Sequence, residues 1–99
     1  MFHYVYVLQS EKYNRWYIGY YPEDVMKRLD KHNRGEVQST KGYLPWKLIF
    51  YEAYLEQEDA LRRERYLKTN QGARMLKIML KGYRSRREDR ILLLGDIVG

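Results

Sequence analysis

A phenol, a guanidinium and an imidazole occur at a spacing that could bring their side chains together. Tyr17 lies in an aromatic run with strand periodicity, and Arg28 and His32 follow four residues apart in a charged segment. Side chains four residues apart are neighbours on one face of a helix. A strand carrying Tyr17 beside such a helix would combine an anion-binding group with two proton-transfer groups. The alternative interpretation of Arg28 and His32 is that basic residues simply suit the C-terminal half of a helix.

A carboxylate interrupts the apolar face of a second charged segment. Over residues 57–68, Ala60, Leu61 and Leu67 form one arc of a helix, and Glu64 lies in the middle of that arc. A carboxylate directed toward a core needs a cation, a hydrogen-bond network or a metal as its partner. The pattern leaves two interpretations open, a buried ion pair and a functional site.

The elements that would carry these residues follow from periodicity. Strand-like segments span about residues 3–9, 15–20 and 47–54, and helical segments span about residues 23–33, 57–68 and 73–80. The polar residues between the first two strands predict an antiparallel hairpin that places Tyr6 near Tyr17. The third strand is apolar on both faces, which predicts that it is the central or best-buried strand. The expected fold class is α/β, of the α+β type.

Smaller features predict how the helices begin and which faces they bury. Glu23 and Asp24 suit the first turn of the first helix. Asn33 and Gly35 suit its end. In the second helix, the residues expected to face solvent are Arg62, Arg63 and Arg65. The chain is expected to break before the third helix, at Asn70, Gln71 and Gly72. In the third helix, the residues expected to pack inward are Met75, Leu76, Met79 and Leu80.

The segment 34–45 has no periodicity and is predicted to be a loop. Its Ser39, Thr40, Lys41 and Gly42 could offer hydroxyl, ammonium and backbone donors to a phosphate. The alternative interpretation is a solvated surface loop without a ligand.

The composition indicates one small domain and a polyanionic partner. The 99 residues predict a single domain at 1–82, followed by a basic and then apolar tail at 83–99. There is no cysteine, which excludes disulfide bonds and thiolate metal sites. The 19 Lys and Arg against 13 Asp and Glu, together with 11 tyrosines, favour nucleic acid over a membrane or a small molecule. No segment has the pattern of a signal peptide or a transmembrane helix, so a cytoplasmic location is expected.

Several short motifs, taken in order, resemble a known enzyme family. Tyr4-Val5-Tyr6, Tyr17-Ile18-Gly19, Arg28, His32-Asn33 and Glu64 resemble the motifs of the GIY-YIG nucleases, and the likeness is greatest to small single-domain bacterial members. It covers about residues 3–80. It departs from the family pattern at Tyr4, which replaces a glycine, and at Tyr20, where some members carry lysine. The resemblance implies a GIY-YIG endonuclease-like fold, with a small three-stranded antiparallel sheet flanked by about three helices.

The resemblance also implies roles for individual residues. The expected catalytic residues are Tyr6, Tyr17, Arg28, His32 and Glu64, with Glu64 as the metal ligand and Mg²⁺ or Mn²⁺ as the cofactor. The cation would supply Lewis-acid charge, and Arg28 would bind a phosphate oxygen. Either Tyr6 or Tyr17 could accept a proton from water if nearby cations lower its pKa from the free value of about 10. The sequence leaves open which tyrosine is the base.

Three functions are compatible with these features. The favoured one is a divalent-metal-dependent endonuclease that hydrolyses phosphodiester bonds in DNA, in repair or recombination, with RNA also open as a substrate. The alternatives are a non-catalytic nucleic-acid binding module on the same fold and a protein-interaction domain whose tail mediates assembly. A protein partner that confers specificity is compatible with the first. The expected nucleic-acid contacts are Lys41, Arg62, Arg65, Lys68 and Arg74.

Overall fold

The computed structural model describes residues 1–87 of the chain. These residues form a three-stranded antiparallel sheet and several helices. The strands are β1 (His3–Ser10), β2 (Trp16–Tyr21) and β3 (Trp46–Tyr54), and the helices are α1 (Val25–Asn33), α2 (Gln57–Leu67) and α3 (Asn70–Met79). A short 3₁₀ turn spans Lys41–Tyr43, and residues 81–87 are also helical. This architecture confirms the predicted antiparallel sheet flanked by helices.

The chain divides into two compact units, Met1–Tyr66 and a second unit that begins at Leu67. The residues expected to be catalytic all belong to the first unit. The division between residues 82 and 83 stays a prediction, and residues 88–99, which include the apolar end of the tail, lie outside the described residues. Within the described residues, no helix is long and apolar enough to cross a membrane.

The strand β1 lies between β2 and β3, so the prediction that β3 is central is wrong. From Val5 to Ser10 every residue of β1 is buried, whereas β3 is largely half-buried and its Tyr51 is exposed. Apolar residues on both faces of β3 indicate that the faces are covered, but they do not tell which strand has two hydrogen-bonded neighbours. The strand β1 has them because it pairs antiparallel with both others.

The pairing of β1 with β2 brings two tyrosines onto one face of the sheet. Tyr6 is opposite Gly19, and Leu8 is opposite Tyr17. Since side chains alternate between faces along a strand, Tyr6 and Tyr17 are diagonal neighbours, as the predicted hairpin requires. The buried cluster that includes this face consists of Tyr6, Leu8, Tyr21, Val25 and Trp46. Val25 comes from α1, so α1 packs against the tyrosine-bearing face.

The helix α1 begins two residues later than the sequence predicts. Asp24 is its N-cap, with a side-chain oxygen that accepts a hydrogen bond from the backbone N–H of Met26 at 2.9 Å. An N-cap residue has non-helical backbone angles, so Glu23 and Asp24 precede the first turn and do not form part of it. The predicted end is confirmed, because Gly35 adopts φ +75° and its N–H donates to the carbonyl of His32 at 3.0 Å.

The helix α2 has nearly the predicted bounds, but one of its arginines is not on the solvent side. Arg62 and Arg65 are exposed, whereas Arg63 is half-buried. Arg63 donates to both carboxylate oxygens of Glu52 at 3.0 Å, and the Tyr54 hydroxyl donates to the same carboxylate. We call Glu52, Tyr54 and Arg63 the Glu52 cluster. It corrects the expected exposure of Arg63, because the partner acid on β3 is not visible from the helical pattern.

In the second unit, α3 begins at Asn70, so the predicted chain break at Asn70, Gln71 and Gly72 is wrong. The cause is an N-cap: the Thr69 side chain accepts a hydrogen bond from the backbone N–H of Gly72 at 3.0 Å. Leu76 is buried as predicted. The predicted inward packing of Met75 and Met79 is also wrong, since these two residues are 43% and 39% exposed.

Candidate active site

The hydroxyl of Tyr6 on β1 contacts two side chains of α1. It lies 2.8 Å from Nε2 of His32, and Nε of Arg28 donates to it at 3.3 Å. Tyr6 and His32 are fully buried, and Arg28 is half-buried. We call these three residues the Tyr6 cluster. The spacing of Arg28 and His32, one helical turn apart, allows both to reach the same phenol.

The partners of His32 determine which of its nitrogens carries the proton. Its Nδ1 lies 2.7 Å from Oγ1 of Thr40, and the Thr40 hydroxyl donates to the carbonyl of Val37 at 3.4 Å. The arrangement in which both Thr40 contacts form has the Thr40 hydroxyl donating to Val37, Nδ1–H of His32 donating to Thr40 and Nε2 left as an acceptor. In this arrangement the Tyr6 hydroxyl donates to His32, while its oxygen accepts from Arg28.

Burial keeps both titratable groups of this chain of hydrogen bonds neutral. It raises the pKa of Tyr6 to about 12, and the hydrogen bond from Arg28 only partly offsets it. Burial, together with the charge of Arg28, lowers the pKa of His32 to about 4. For Tyr6, the condition for acting as a base, a phenol pKa lowered by nearby cations, is therefore not met, because desolvation outweighs the single guanidinium.

Tyr17 is near the Tyr6 cluster but is not hydrogen-bonded to it. Its ring centroid is 5.2 Å from that of His32 and 6.3 Å from those of Tyr6 and Trp46. The side chain makes no hydrogen bond with any residue in 1–87, and its oxygen is not among the buried unpaired atoms of that range. The hydroxyl of Tyr17 is therefore accessible to water, unlike that of Tyr6.

A glycine in β2 leaves room for the ring of Tyr6. A Cβ atom at Gly19 would overlap Cζ and Oη of Tyr6 and would lie 2.9 Å from its Cε1. The ring cannot move away without breaking the bonds to His32 and Arg28. The glycine of the Tyr17-Ile18-Gly19 motif is thus explained by the close approach of the Tyr6 ring, because no other residue lacks a Cβ.

Arg28 has no anionic partner among the described residues. Its Nε bonds Tyr6, and its Cζ lies 5.2 Å from the ring centroid of Tyr21, with Lys31 Nζ 5.5 Å from the same ring. Within residues 1–87 it forms no salt bridge, and its Nη atoms form no hydrogen bond. The guanidinium is therefore oriented by one nitrogen and has its terminal nitrogens available to bind an anion.

Glu64 lies on α2 and is half-buried. After burial, which is the main cause, the Glu64 charge makes a smaller contribution to the raised pKa of Tyr6, so its carboxylate is within electrostatic range of that phenol. No group of three or more His, Cys, Asp or Glu residues that could hold a metal occurs among the described residues. A single carboxylate fits Mg²⁺, which keeps several waters and is commonly bound by one or two carboxylates together with substrate phosphate.

Thr40 is the site residue whose place the sequence predicts wrongly. Both interpretations of its loop, a candidate phosphate contact and a solvated surface, need an accessible Thr40, yet it is fully buried and bonded to His32. Trp46 Nε1 donates to the Thr40 carbonyl at 3.0 Å, and Asn33 bonds both the N–H and the carbonyl of Trp46 at 2.7 and 2.9 Å. The loop is therefore folded onto the Trp46 indole, and no periodicity in the sequence signals this.

The residues expected to contact nucleic acid are exposed but are otherwise untested. In the first unit, Lys41, Arg62 and Arg65 lie on the surface, and in the second unit so do Lys68 and Arg74. Arg62 pairs with Asp59 at 2.5 Å and with Glu58 at 3.8 Å, which neutralises part of its charge. Their roles stay predictions.

Comparisons with known proteins identify the family of this chain. A family model described as the GIY-YIG catalytic domain matches residues 2–77. A UPF0213 protein of Staphylococcus saprophyticus is 35% identical over 81 residues, which cover 81% of this chain and 96% of the relative. A UPF0213 protein of Staphylococcus aureus is 35% identical over 78 residues, which cover 78% of this chain and 93% of the relative. The solution NMR structure of a UPF0213 protein from Bacillus halodurans is 35% identical with a TM-score of 0.49, covering 83% of this chain and 87% of that one. The chain therefore belongs to the GIY-YIG family, with the nuclease-like catalytic domain of that family at residues 2–77.

Proposed function

We propose that this protein is a divalent-metal-dependent endonuclease that hydrolyses phosphodiester bonds in DNA. The observation that carries the proposal is the state of Arg28. Its guanidinium is oriented by the buried phenol of Tyr6 and has no anionic partner in residues 1–87. The ring of that phenol is 6.3 Å, centroid to centroid, from the ring of Tyr17, whose hydroxyl is accessible. An arginine arranged in this way suits a phosphate that arrives from solution.

Arg28 would bind a non-bridging oxygen of the phosphate to be cleaved. Charge on these oxygens changes as water attacks, and a donor fixed beforehand stabilises it without reorganising. Tyr6 and His32 act as positioning residues in this proposal. The Tyr6 oxygen holds Nε of Arg28, and His32 fixes the direction of the Tyr6 hydroxyl.

Tyr17 is the better candidate for accepting a proton from the attacking water. The Tyr6 hydroxyl already donates to His32, and its pKa is raised to about 12, so its proton is held in the cluster. The Tyr17 hydroxyl makes no such bond within the described residues. A general base must reach the water that it deprotonates, and only the hydroxyl of Tyr17 is open to solvent.

Glu64 would hold the divalent cation. A bound Mg²⁺ supplies Lewis-acid charge and an acidic bound water for the leaving oxygen. The electrostatic effect of the Glu64 carboxylate on the Tyr6 phenol supports a cation bound in the neighbourhood of the Tyr6 cluster. Arg28 and the bound cation would then supply positive charge to one phosphate, with Tyr17 as the proton acceptor.

The test compares wild type with Glu64→Gln on labelled branched, single-stranded and duplex DNA, each with Mg²⁺, Mn²⁺ or EDTA. Glutamine keeps the side-chain size and one acceptor oxygen but loses the charge that binds a hard cation. We expect cleavage to fall by orders of magnitude, while DNA affinity and the melting temperature change little.

Two outcomes would contradict the metal assignment of Glu64. One is a variant that is stable and cleaves at the wild-type rate. The other is a variant destabilised by about 3 kcal/mol or more, which is the signature of a structural ion pair that has lost one partner. A wild-type protein that binds DNA and cleaves none of the panel with either metal would instead be a nucleic-acid binding module.

A further inference from the structure

A second aromatic surface lies where the loop between β1 and β2 meets the 3₁₀ turn. The rings of Tyr13 and Tyr43 are edge to face, with centroids 5.5 Å apart, and the Arg15 guanidinium carbon lies 4.3 Å from the Tyr43 ring centroid. Tyr13 is 50% exposed, and Arg15 is also exposed. We call Tyr13, Arg15 and Tyr43 the loop platform. Exposed aromatic and guanidinium faces of this kind are the groups on which nucleic-acid bases stack.

The loop platform is fixed by buried polar residues at the end of β1. The Ser10 hydroxyl donates to the Tyr43 carbonyl at 2.7 Å and accepts from the Tyr13 backbone N–H at 3.1 Å. The Gln9 amide donates to the Tyr13 carbonyl at 3.3 Å, and the Arg15 N–H donates to the same carbonyl at 2.9 Å. A ligand would therefore meet aromatic groups that are already ordered, which reduces the entropy lost on binding.

The loop platform adjoins the candidate active site through Trp46. The Tyr43 ring centroid is 6.3 Å from that of Trp46, which is in turn 6.3 Å from that of Tyr17. A strand whose phosphate binds Arg28 could reach the platform with its next nucleotides. The loop platform belongs to the segments 11–15 and 41–43, which also contain the exposed Lys12 and Lys41. Glu11 is the one acid in these two segments, so their net charge is positive.

We propose that the loop platform binds an unpaired nucleotide adjacent to the phosphodiester that is cleaved, so that the substrate is DNA with a single-stranded segment. The base would stack on Tyr13 and Arg15, and the flanking phosphates would face Lys12 and Lys41. In a duplex, base faces are already stacked on their neighbours, so an aromatic surface gains contact only with an unpaired base. The proposal rests on the proposed function and specifies its substrate class.

Binding is measured by fluorescence anisotropy in EDTA, so that cleavage plays no part. The probes are a labelled single-stranded oligonucleotide, its duplex, and a single strand of equal length that contains only abasic nucleotides. Wild type should prefer the first probe over both others. Tyr13→Leu should bind the single strand about ten-fold more weakly, because one stacking contact is lost, and should bind the duplex as wild type does.

Two further variants show whether the aromatic ring is responsible. Tyr13→Phe keeps the stacking face and should restore the preference for the single strand. Tyr51→Leu removes a tyrosine of similar exposure, 53%, from β3 and should leave the preference as it is in wild type. Melting curves of all variants establish that each is folded.

The proposal is overturned if wild type binds the abasic and normal strands equally, or if Tyr13→Leu weakens duplex and single-strand binding to the same extent. The abasic comparison uses only the wild-type protein, so it holds even if a variant does not fold. These failures differ from a failure of the proposed function. Loss of cleavage in Glu64→Gln would still identify a nuclease, one that selects its substrate elsewhere.

Discussion

In the first unit, the Tyr6 cluster and the Glu52 cluster each combine a tyrosine of raised pKa with an arginine, but only the arginine of the Glu52 cluster is paired with a carboxylate. In the Tyr6 cluster, burial raises the phenol pKa to about 12, and in the Glu52 cluster burial and the bond to Glu52 raise that of Tyr54 to about 12. A raised tyrosine pKa therefore does not by itself identify an active site in this protein.

The clusters differ in what neutralises the arginine. Arg63 bonds both oxygens of Glu52, so its charge is satisfied within the fold. Arg28 bonds only the neutral Tyr6 hydroxyl and forms no salt bridge within residues 1–87. A cation oriented by a neutral group can bind an external anion, whereas a bidentate ion pair holds two elements together. This difference distinguishes the candidate site from a structural cluster.

The largest expected effect comes from the same substitution in both clusters. Arg28→Gln should lower DNA cleavage by about 10²–10³-fold, because a fixed cation is lost from the phosphate. Its free energy of unfolding should change little. Arg63→Gln should cleave normally when folded but lose about 1–3 kcal/mol of stability, because the half-buried Glu52 loses its cation and keeps only the hydrogen bond from Tyr54.

The measurements are single-turnover cleavage and urea unfolding for both variants. Each variant is the control for the other, since both remove one positive charge from a half-buried position. Equal losses of stability with equal cleavage would remove the distinction between the clusters.

The sequence predicts the residues of the Tyr6 cluster because they obey local periodicities. Strand alternation and the hairpin place Tyr6 and Tyr17 on one face, and helical spacing places Arg28 and His32 together. The helical pattern of α2 singles out Glu64, and the resemblance to GIY-YIG nucleases, a family that the family match confirms, implies its role as a metal ligand. Their catalytic roles stay a proposal.

Features that depend on tertiary contacts could not be predicted in this way. Thr40 reaches His32 only because a loop without periodicity folds onto Trp46. The central position of β1 follows from pairing, which the composition of β3 does not reveal. The sign of the Tyr6 pKa shift depends on how far burial outweighs Arg28, and that balance needs coordinates.

The second prediction concerns the pH dependence of stability that comes from His32. Of the two clusters, only the Tyr6 cluster contains a histidine. The pKa of His32 is lowered from 6.5 to about 4 in the folded protein. The unfolded chain therefore binds a proton first as the pH falls. The contribution of His32 to stability is complete above about pH 6.5 and is lost toward pH 4, an effect of about 3 kcal/mol.

Urea unfolding of wild type and His32→Gln between pH 7 and pH 4 measures this contribution. Wild type should lose about 3 kcal/mol more than the variant over this interval. His3→Gln is the matched control, because it removes a histidine outside the cluster and should keep the wild-type loss. Parallel curves for wild type and His32→Gln would show that His32 is not held neutral by the fold.

The third prediction concerns the close backbone approach on which the Tyr6 cluster depends. Gly19→Ala should destabilise the protein by about 2 kcal/mol, because the new methyl group overlaps the ring of Tyr6. Gly42→Ala is the control, since a Cβ there has no atom within 4 Å. Thermal melting and cleavage are measured for both. A Gly19→Ala protein as stable and active as Gly42→Ala would mean that the Tyr6 ring can move freely.

The smallest effect is expected at Thr40, yet it tests the direction of both hydrogen bonds that His32 makes. Thr40→Val keeps the shape but removes the acceptor for Nδ1–H of His32, at a cost of about 1–2 kcal/mol. With no acceptor at Nδ1, His32 should shift toward the tautomer protonated at Nε2, and Tyr6 could then no longer donate to it. Thr40→Ser keeps the hydroxyl and should keep the original tautomer. Nitrogen-15 chemical shifts of the imidazole distinguish the two tautomers directly. If both variants retain a proton on Nδ1, the tautomer is determined by Tyr6 alone, and Thr40 only fills space beneath Trp46.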